Sequence, residues 1–135
     1  MIKKILAALL LFPTFAYAQI NTDRVMMIAR NALYFEDYVL SIQYFNQVIN
    51  AKPYLYEPYF FRGLAKINLD DYQGAEADCD AAIDRNPFVV GAYQIRGLAR
   101  IRQNKYDGAI EDYKKALHYA PENITLWHNL TLCHI

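Results

Sequence analysis

The fold of this chain is decided by residues 56–123, where one pattern is written twice in succession. The first copy, residues 56–89, reads YEPYFFRGLAKINLDDYQGAEADCDAAIDRNPFV, and the second, residues 90–123, reads VGAYQIRGLARIRQNKYDGAIEDYKKALHYAPEN. The two copies are identical at 12 positions, which are Tyr59/Tyr93, Arg62/Arg96, Gly63/Gly97, Leu64/Leu98, Ala65/Ala99, Ile67/Ile101, Tyr72/Tyr106, Gly74/Gly108, Ala75/Ala109, Asp78/Asp112, Ala82/Ala116 and Pro87/Pro121. A period of about 34 residues with two helical segments per copy is typical of a helical repeat array.

Small residues recur where the two helices of each copy must approach each other. Gly63 and Gly97 lie on the first helical segments, and Ala75 and Ala109 lie on the second. Glycine costs about 1 kcal/mol of helix propensity relative to alanine. Close packing of the helices offsets that cost, so the pattern predicts tightly paired antiparallel helices.

Residues typical of turns and of helix ends occur at equivalent positions of the two copies. The segments Asp70-Asp71 and Asn104-Lys105 are predicted to form the turn inside each pair. Pro87 and Pro121 are predicted to end the second helices, because proline removes a backbone donor and restricts the residue before it. One helix pair cannot bury its apolar face alone, so neighbouring pairs are expected to stack.

These recurring residues resemble the tetratricopeptide repeat (TPR) family, whose pattern places an aromatic, Gly, an aromatic, Ala, an aromatic, Ala and Pro at fixed offsets. The resemblance covers about residues 22–135. It implies an all-α fold, a right-handed superhelical array of antiparallel helix pairs with three repeats plus one terminal helix. The implied boundaries are residues 22–55 for a degenerate first repeat, 56–89 and 90–123 for two full repeats, and 124–135 for a further helix.

The two ends of the array differ from the full repeats. In residues 22–55, Pro53 stands one repeat length before Pro87, while Ala29 and Ser41 replace the Gly and Ala of the later copies. Residues 124–135 begin like a fourth repeat, with Trp127 on the first aromatic offset. This segment is either a capping helix that closes the array or the beginning of a fourth repeat, in which case the sequence is the N-terminal part of a longer protein. Its apolar character favours the second interpretation, because a cap normally carries a polar outer face.

The first eighteen residues are predicted to be a secretory signal peptide. Lys3 and Lys4 form a basic start, residues 5–12 are apolar, and Ala16-Tyr17-Ala18 is a small-x-small cleavage site. Cleavage after Ala18 predicts an exported protein, periplasmic or secreted, with no stable membrane insertion afterwards. The alternative is an N-terminal membrane anchor that is not removed.

The net charge of the chain limits which kinds of partner it can bind. Two of the 14 basic residues lie in the signal peptide, so 12 remain against 14 acidic residues, a net charge of −2. A nearly neutral surface argues against a nucleic-acid partner and against electrostatic membrane binding. Cys79 and Cys133 are almost two repeats apart, so we expect two separate thiols, each at least partly buried.

Residues that carry enzyme chemistry are not found in a recognisable arrangement. The sequence has no glycine-rich phosphate loop, no HExxH, no GxSxG and no paired-cysteine metal spacing. His128 and His134 are six residues apart, which puts them on different faces of a helix. We therefore expect no catalytic residues, no metal site and no cofactor.

One polar pairing recurs with the repeat. Arg62 and Asp78 occupy the same offsets as Arg96 and Asp112, with one residue of each pair on each helix. We interpret them as structural ion pairs between the helices. The alternative is a ladder of arginines that binds a carboxylate of a ligand.

The TPR resemblance also implies which residues line the concave groove, because the first helices of TPR proteins face it at fixed offsets. Carried over, these residues are Met26, Arg30, Leu33, Tyr34, Phe60, Leu64, Ile67, Asn68, Gln94, Leu98, Ile101 and Arg102. The stripe suits an amphipathic helix or an extended peptide with apolar anchors. The alternative is that Leu64, Ile67, Leu98 and Ile101 mainly complete the packing between repeats. The family's clamp for chaperone C-terminal carboxylates, built from Lys and Asn on the first helices, is absent.

The sequence therefore predicts an exported TPR scaffold that binds another protein or a peptide in its concave groove. A second interpretation is architectural: an N-terminal segment of a longer envelope protein or enzyme, with a homo-oligomer formed through the 124–135 end.

Overall fold

A computed structural model describes residues 21–134, and seven helices account for most of that range. They are α1 (21–34), α2 (Tyr38–Ala51), α3 (Glu57–Asn68), α4 (Tyr72–Arg85), α5 (Val90–Arg102), α6 (Tyr106–Tyr119) and α7 (Ile124–Cys133). From α2 onward each helix packs against the next one in the chain. The predicted all-α fold, a right-handed array of antiparallel helix pairs followed by one terminal helix, is confirmed.

The turn inside each helix pair contains one residue in the left-handed region of backbone conformation. Glu36, Asp70 and Asn104 have φ angles of 64°, 61° and 61°, and successive members are one repeat length apart. Among residues with a side chain, Asn and Asp adopt this conformation most readily. Asp70 and Asn104 each accept a hydrogen bond from the tyrosine hydroxyl two residues later. The left-handed residue thus occurs at the same position of all three repeats.

One core position recurs in all three repeats and holds a different side chain in each. Phe45, Cys79 and Tyr113 occupy equivalent positions in successive repeats, and none of them is exposed to solvent. A Cβ added to Gly97 would lie 3.0 Å from Cζ of Tyr113, whereas one added to Gly63 would meet nothing closer than 3.4 Å. The Tyr113 ring therefore uses the space that a side chain at residue 97 would need, and the smaller Cys79 leaves more room.

Adjacent repeats are joined by a bond from an aromatic side chain to the main chain. In three places the first helix of a repeat donates a hydrogen bond to the carbonyl oxygen of the proline six residues earlier. These aromatic–proline bonds are Tyr59 Oη to Pro53 O at 3.1 Å, Tyr93 Oη to Pro87 O at 2.7 Å and Trp127 Nε1 to Pro121 O at 2.8 Å. Each bond fixes the entry of a first helix relative to the end of the preceding repeat.

The terminal helix α7 occupies the position of a first helix. Leu126 and Leu130 are buried against the cluster around Tyr113. On the other side, Ile124, Trp127 and Leu132 are 82%, 52% and 52% exposed. The outer side of α7 therefore presents apolar side chains to solvent.

The predicted signal peptide, residues 1–18, lies outside the described residues. Within residues 21–134, no helix has both the length and the apolar character needed to cross a membrane. The thiols of Cys79, which is buried, and Cys133, which is half-buried, are both free. Burial raises the pKa of the Cys79 thiol to about 12, so the thiol stays protonated and unreactive at ordinary pH.

Candidate binding groove

Half of the twelve residues predicted to line the groove come together in one open concavity of about 660 Å³ between α1 and α3. We call it the N-terminal concavity. The six predicted residues in it are Met26, Arg30, Leu33, Tyr34, Leu64 and Asn68. Its volume lies within the range of about 300–1,000 Å³ that is usual for ligand sites.

The other six predicted residues do not line this concavity. A Cβ added to Gly91 would lie 2.9 Å from Cζ of Phe60, so the Phe60 ring rests directly on the backbone of α5. Ile101 packs against the buried cluster around Tyr113. These two side chains contribute to packing between repeats. The remaining four are the half-buried Ile67 and Gln94 and the exposed Leu98 and Arg102.

Six further residues line the N-terminal concavity and were missed by sequence reasoning. They are Asp23, Met27, Asn31, Glu36, Tyr38 and Phe61. The carried-over offsets describe one face of a first helix inside an array. Asp23, Met27 and Asn31 form a second stripe on α1 at a spacing of four residues, which places them on one face of the helix. This four-residue spacing is the sequence feature from which the second stripe could have been predicted.

Arg30 contacts an aromatic ring in the concavity and has no acidic partner within residues 21–134. Its Cζ atom lies 5.0 Å from the centroid of the Phe61 ring, a cation–π contact. Neither Arg30 nor Arg102 takes part in a salt bridge within residues 21–134. Asp23 and Glu36 line the same concavity without pairing to Arg30. The guanidinium donors of Arg30 are therefore free to bind an oxygen atom of a ligand.

Behind the groove, the buried carboxylate of Asp78 on α4 is bound by two cations of α3. Arg62 donates to both of its oxygens, at 2.8 Å from Nε and 2.6 Å from Nη2. Lys66 Nζ lies 3.0 Å from the same carboxylate. The remaining Arg62 nitrogen, Nη1, donates to Asn46 Oδ1 at 2.8 Å. Arg62 on α3 thus connects α2 of the preceding repeat with α4 of its own.

The same arrangement recurs one repeat later around Asp112. Arg96 donates to this carboxylate at 2.7 Å from Nη2, and Arg100 Nη1 lies 2.9 Å from it. Arg96 Nη1 also donates to Asp80 at 2.8 Å. Burial acts to lower the pKa of Arg96, but the hydrogen bonds to Asp112 and Asp80 outweigh it and raise the pKa. The two copies are therefore charged, closed networks.

Lys66 and Arg100 were not predicted as members of these networks. They also occupy equivalent positions in the two full repeats, and each follows the pairing arginine by four residues, so each lies on the same face of its helix. Each of the three guanidinium nitrogens of Arg62 and of Arg96 donates to a carboxylate or to a side-chain amide of the fold. The geometry therefore favours structural ion pairs over a ligand-binding ladder.

Glu76 on α4 extends the second network towards the next turn. Its oxygens accept hydrogen bonds from Arg100, Gln103 and Lys105 at 2.8, 3.0 and 2.8 Å. Burial acts to raise the pKa of Glu76, but these three donors lower it to about 2. The carboxylate therefore stays ionised and holds α5 and its following turn against α4.

Two profiles of known protein families match this chain. One, described as a tetratricopeptide repeat, matches residues 56–88, and the other, described as a TPR repeat, matches residues 97–132. The chain carries tetratricopeptide repeats. A comparison with curated protein sequences finds no match.

Several solved TPR structures are similar to this one. The first TPR domain of Spaghetti (RPAP3), bound to an HSP90 peptide, is 25% identical with a TM-score of 0.81, covering 84% of this chain and 90% of that one. The Arabidopsis OM64 TPR domain is 23% identical with a TM-score of 0.83, covering 86% and 96%. The second TPR domain of human RPAP3, in complex with an HSP70 peptide, is 21% identical with a TM-score of 0.82, covering 87% and 98%. The likeness extends over the whole TPR fold.

In residues 21–134 of this TPR array, no group of three or more His, Cys, Asp or Glu side chains is placed to hold a metal ion. The polar residues that the structure concentrates instead belong to the two networks behind the groove.

The network predicts unequal effects for two aspartates that touch the same arginine. Replacing Asp112, which is 2% exposed, by Ala leaves Arg96 and Arg100 without their buried carboxylate. We expect a loss of about 3–5 kcal/mol in the free energy of unfolding. Replacing Asp80, whose side chain is 51% exposed, should cost less than about 1 kcal/mol. Urea denaturation followed by circular dichroism measures both, and equal losses would contradict this assignment.

Proposed function

We propose that this protein is an exported TPR scaffold that binds a peptide, or a segment of another protein, in the groove formed by its first helices, and that it catalyses no reaction. The observation that carries the proposal is the N-terminal concavity, where apolar side chains of α1 and α3 face solvent on the side predicted to bind. The peptide complexes of similar TPR domains support the same mode of action.

The physical basis of binding is a rigid surface with apolar anchors. Of the first helices that carry the groove, α3 and α5 are fixed by aromatic–proline bonds and by the two buried networks, so little order has to be gained in them when a ligand binds. Arg30 and Arg102 add hydrogen-bond donors with no acidic partner in the described part of the chain. An amphipathic helix or an extended peptide with apolar side chains fits such a surface.

A chaperone C-terminus is not the ligand that we propose. The peptides named with the similar structures end in the acidic sequence EEVD. In the present chain the offsets that form the family's carboxylate clamp hold Met26 and Arg30 on α1, Phe60 and Leu64 on α3, and Gln94 and Leu98 on α5. These positions lack the Lys and Asn of the clamp, so partner chemistry differs from that of the chaperone-binding relatives.

The groove predicts a result for peptide selection. A phage library of random dodecapeptides panned on residues 19–135 should yield a consensus sequence. The double variant Tyr34→Glu/Leu98→Glu should abolish enrichment, because it places acids at exposed positions in both halves of the groove. Tyr34 is 80% exposed, and its replacement should not disturb the fold.

The matched control for this selection is Tyr54→Glu/Phe88→Glu, which makes the same charge change at exposed aromatic residues outside the groove. It should retain enrichment, and circular dichroism should show equal helix content in all three proteins. A library that yields no consensus, or a groove variant that binds like wild type, would refute the proposed function. Phe60→Ala is unsuitable, because the ring packs on Gly91.

Export predicts the mass of the native protein. Protein recovered from the envelope and secreted fractions should have the intact mass of residues 19–135, and an Ala18→Phe variant should retain residues 1–18, because the cleavage site requires a small residue there. A wild-type mass that includes residues 1–18 would overturn cleavage in favour of a membrane-tethered scaffold. A much larger mass would place the chain in a longer protein.

A second candidate function, an architectural role through self-association, is favoured by the exposed apolar side of α7. Sedimentation equilibrium of wild type should then show a dimer that Ile124→Glu converts to a monomer, because Ile124 is 82% exposed and its loss costs the fold little. Thr125→Glu, a neighbouring exposed position, should leave the dimer intact. A wild-type protein that sediments as a monomer at every concentration would eliminate this candidate.

A further inference from the structure

The space between adjacent first helices is filled at one step of the array and open at the step before it. Between α3 and α5, the Phe60 ring lies on Gly91, where an added Cβ would be 2.9 Å from Cζ. One repeat earlier, the equivalent residues are Met26 and Glu57. This pair contains neither an aromatic ring nor a glycine, and Met26 lines the N-terminal concavity that opens between α1 and α3. The groove is therefore not uniform along its length.

The lining of the N-terminal concavity suits a bulky apolar side chain. Met26, Leu33, Phe61 and Leu64 are half-buried, so each keeps apolar surface in contact with water. Met27, on the rim, is 59% exposed. Methionine has three rotatable bonds and a polarisable sulfur, so it adapts to side chains of different shape. Covering this surface removes apolar area from water, which favours binding of an apolar group.

The charges around the concavity disfavour an acidic anchor. Asp23 and Glu36 line it together with the single cation Arg30, which gives a net charge of −1. Arg30 is held on the face of Phe61, with its donors unpaired. Arg30 can therefore donate to one oxygen atom of a ligand, whereas a ligand with several acidic groups would be repelled by Asp23 and Glu36.

We propose that the N-terminal concavity is the anchor site of the groove. It seats one bulky apolar side chain of the Leu, Met or Phe class from a bound peptide, and Arg30 donates to a peptide oxygen beside that anchor. The acceptor is either a main-chain carbonyl or a single carboxylate. This inference rests on the proposed peptide-binding function and adds where the ligand is held and by which chemistry.

The test uses a fluorescein-labelled synthetic copy of the selected dodecapeptide and fluorescence polarisation with residues 19–135. Replacing the apolar consensus residue of the peptide by Ala, or Met27 by Glu in the protein, should each raise Kd about tenfold or more, as expected for a buried anchor. Combining both changes should add little, because they remove the same contact. The control Tyr54→Glu, outside the concavity, should leave Kd unchanged.

The role of Arg30 is tested with Arg30→Met, which keeps an apolar stem and removes the donors. It should raise Kd severalfold for the parent peptide. A peptide whose carboxylates are replaced by amides separates the two acceptors: a penalty that persists identifies a carbonyl, and one that disappears identifies a carboxylate. An unchanged Kd for the parent peptide would overturn the role of Arg30.

Two outcomes would overturn the anchor site while leaving the proposed function standing. One is a selected peptide that tolerates Met27→Glu but loses binding with Leu98→Glu, which would put the anchor at α5. The other is a consensus without a bulky apolar residue. A selection that yields no peptide at all would overturn both the anchor site and the proposed function.

Discussion

Two buried carboxylates set the way in which the helices of this protein stack. Asp78 and Asp112 are almost fully buried, and each is surrounded by two cations from the first helix of its own repeat. A buried charge without a partner costs free energy. A helix that slid or rotated would separate Asp78 or Asp112 from its cations and destabilise the fold. Because Arg62 and Arg96 also reach the preceding repeat, the constraint extends along the array.

The first repeat has no charged pair at the equivalent positions. In the first repeat, the positions of the arginine and aspartate hold Ile28 and Tyr44. Replacing buried ion pairs by apolar residues of similar size is often neutral or stabilising. The charged pairs of the second and third repeats are therefore better understood as devices that define register than as sources of net stability.

The fold could be predicted from the sequence because a single structural requirement, such as close helix packing or a turn, determines the residue type at each recurring offset of the repeat. The constant offset between the two full copies predicted the small residues, the turns and the pairing of Arg62 with Asp78, since these depend on contacts that both full repeats make. The groove was only partly predictable. The carried-over offsets assume equal spacing between first helices, but the Phe60 ring on Gly91 fills the interval between α3 and α5, whereas the N-terminal concavity opens between α1 and α3. Such differences depend on two residues from different helices and have no counterpart in a single-repeat pattern.

The aromatic–proline bonds have a consequence for how such a protein acquires a new partner. Each bond ends on a main-chain carbonyl and begins on a ring that lies away from the concavity, so the bend from one repeat to the next is encoded apart from the residues that face a ligand. Under the proposed function, changes at Met26, Met27 or Tyr34 would therefore alter which ligand binds and leave the curvature of the surface unchanged. At the N-terminal concavity, the residues that set the bend and the residues that line the surface are different, so either set can change in evolution while the other is kept.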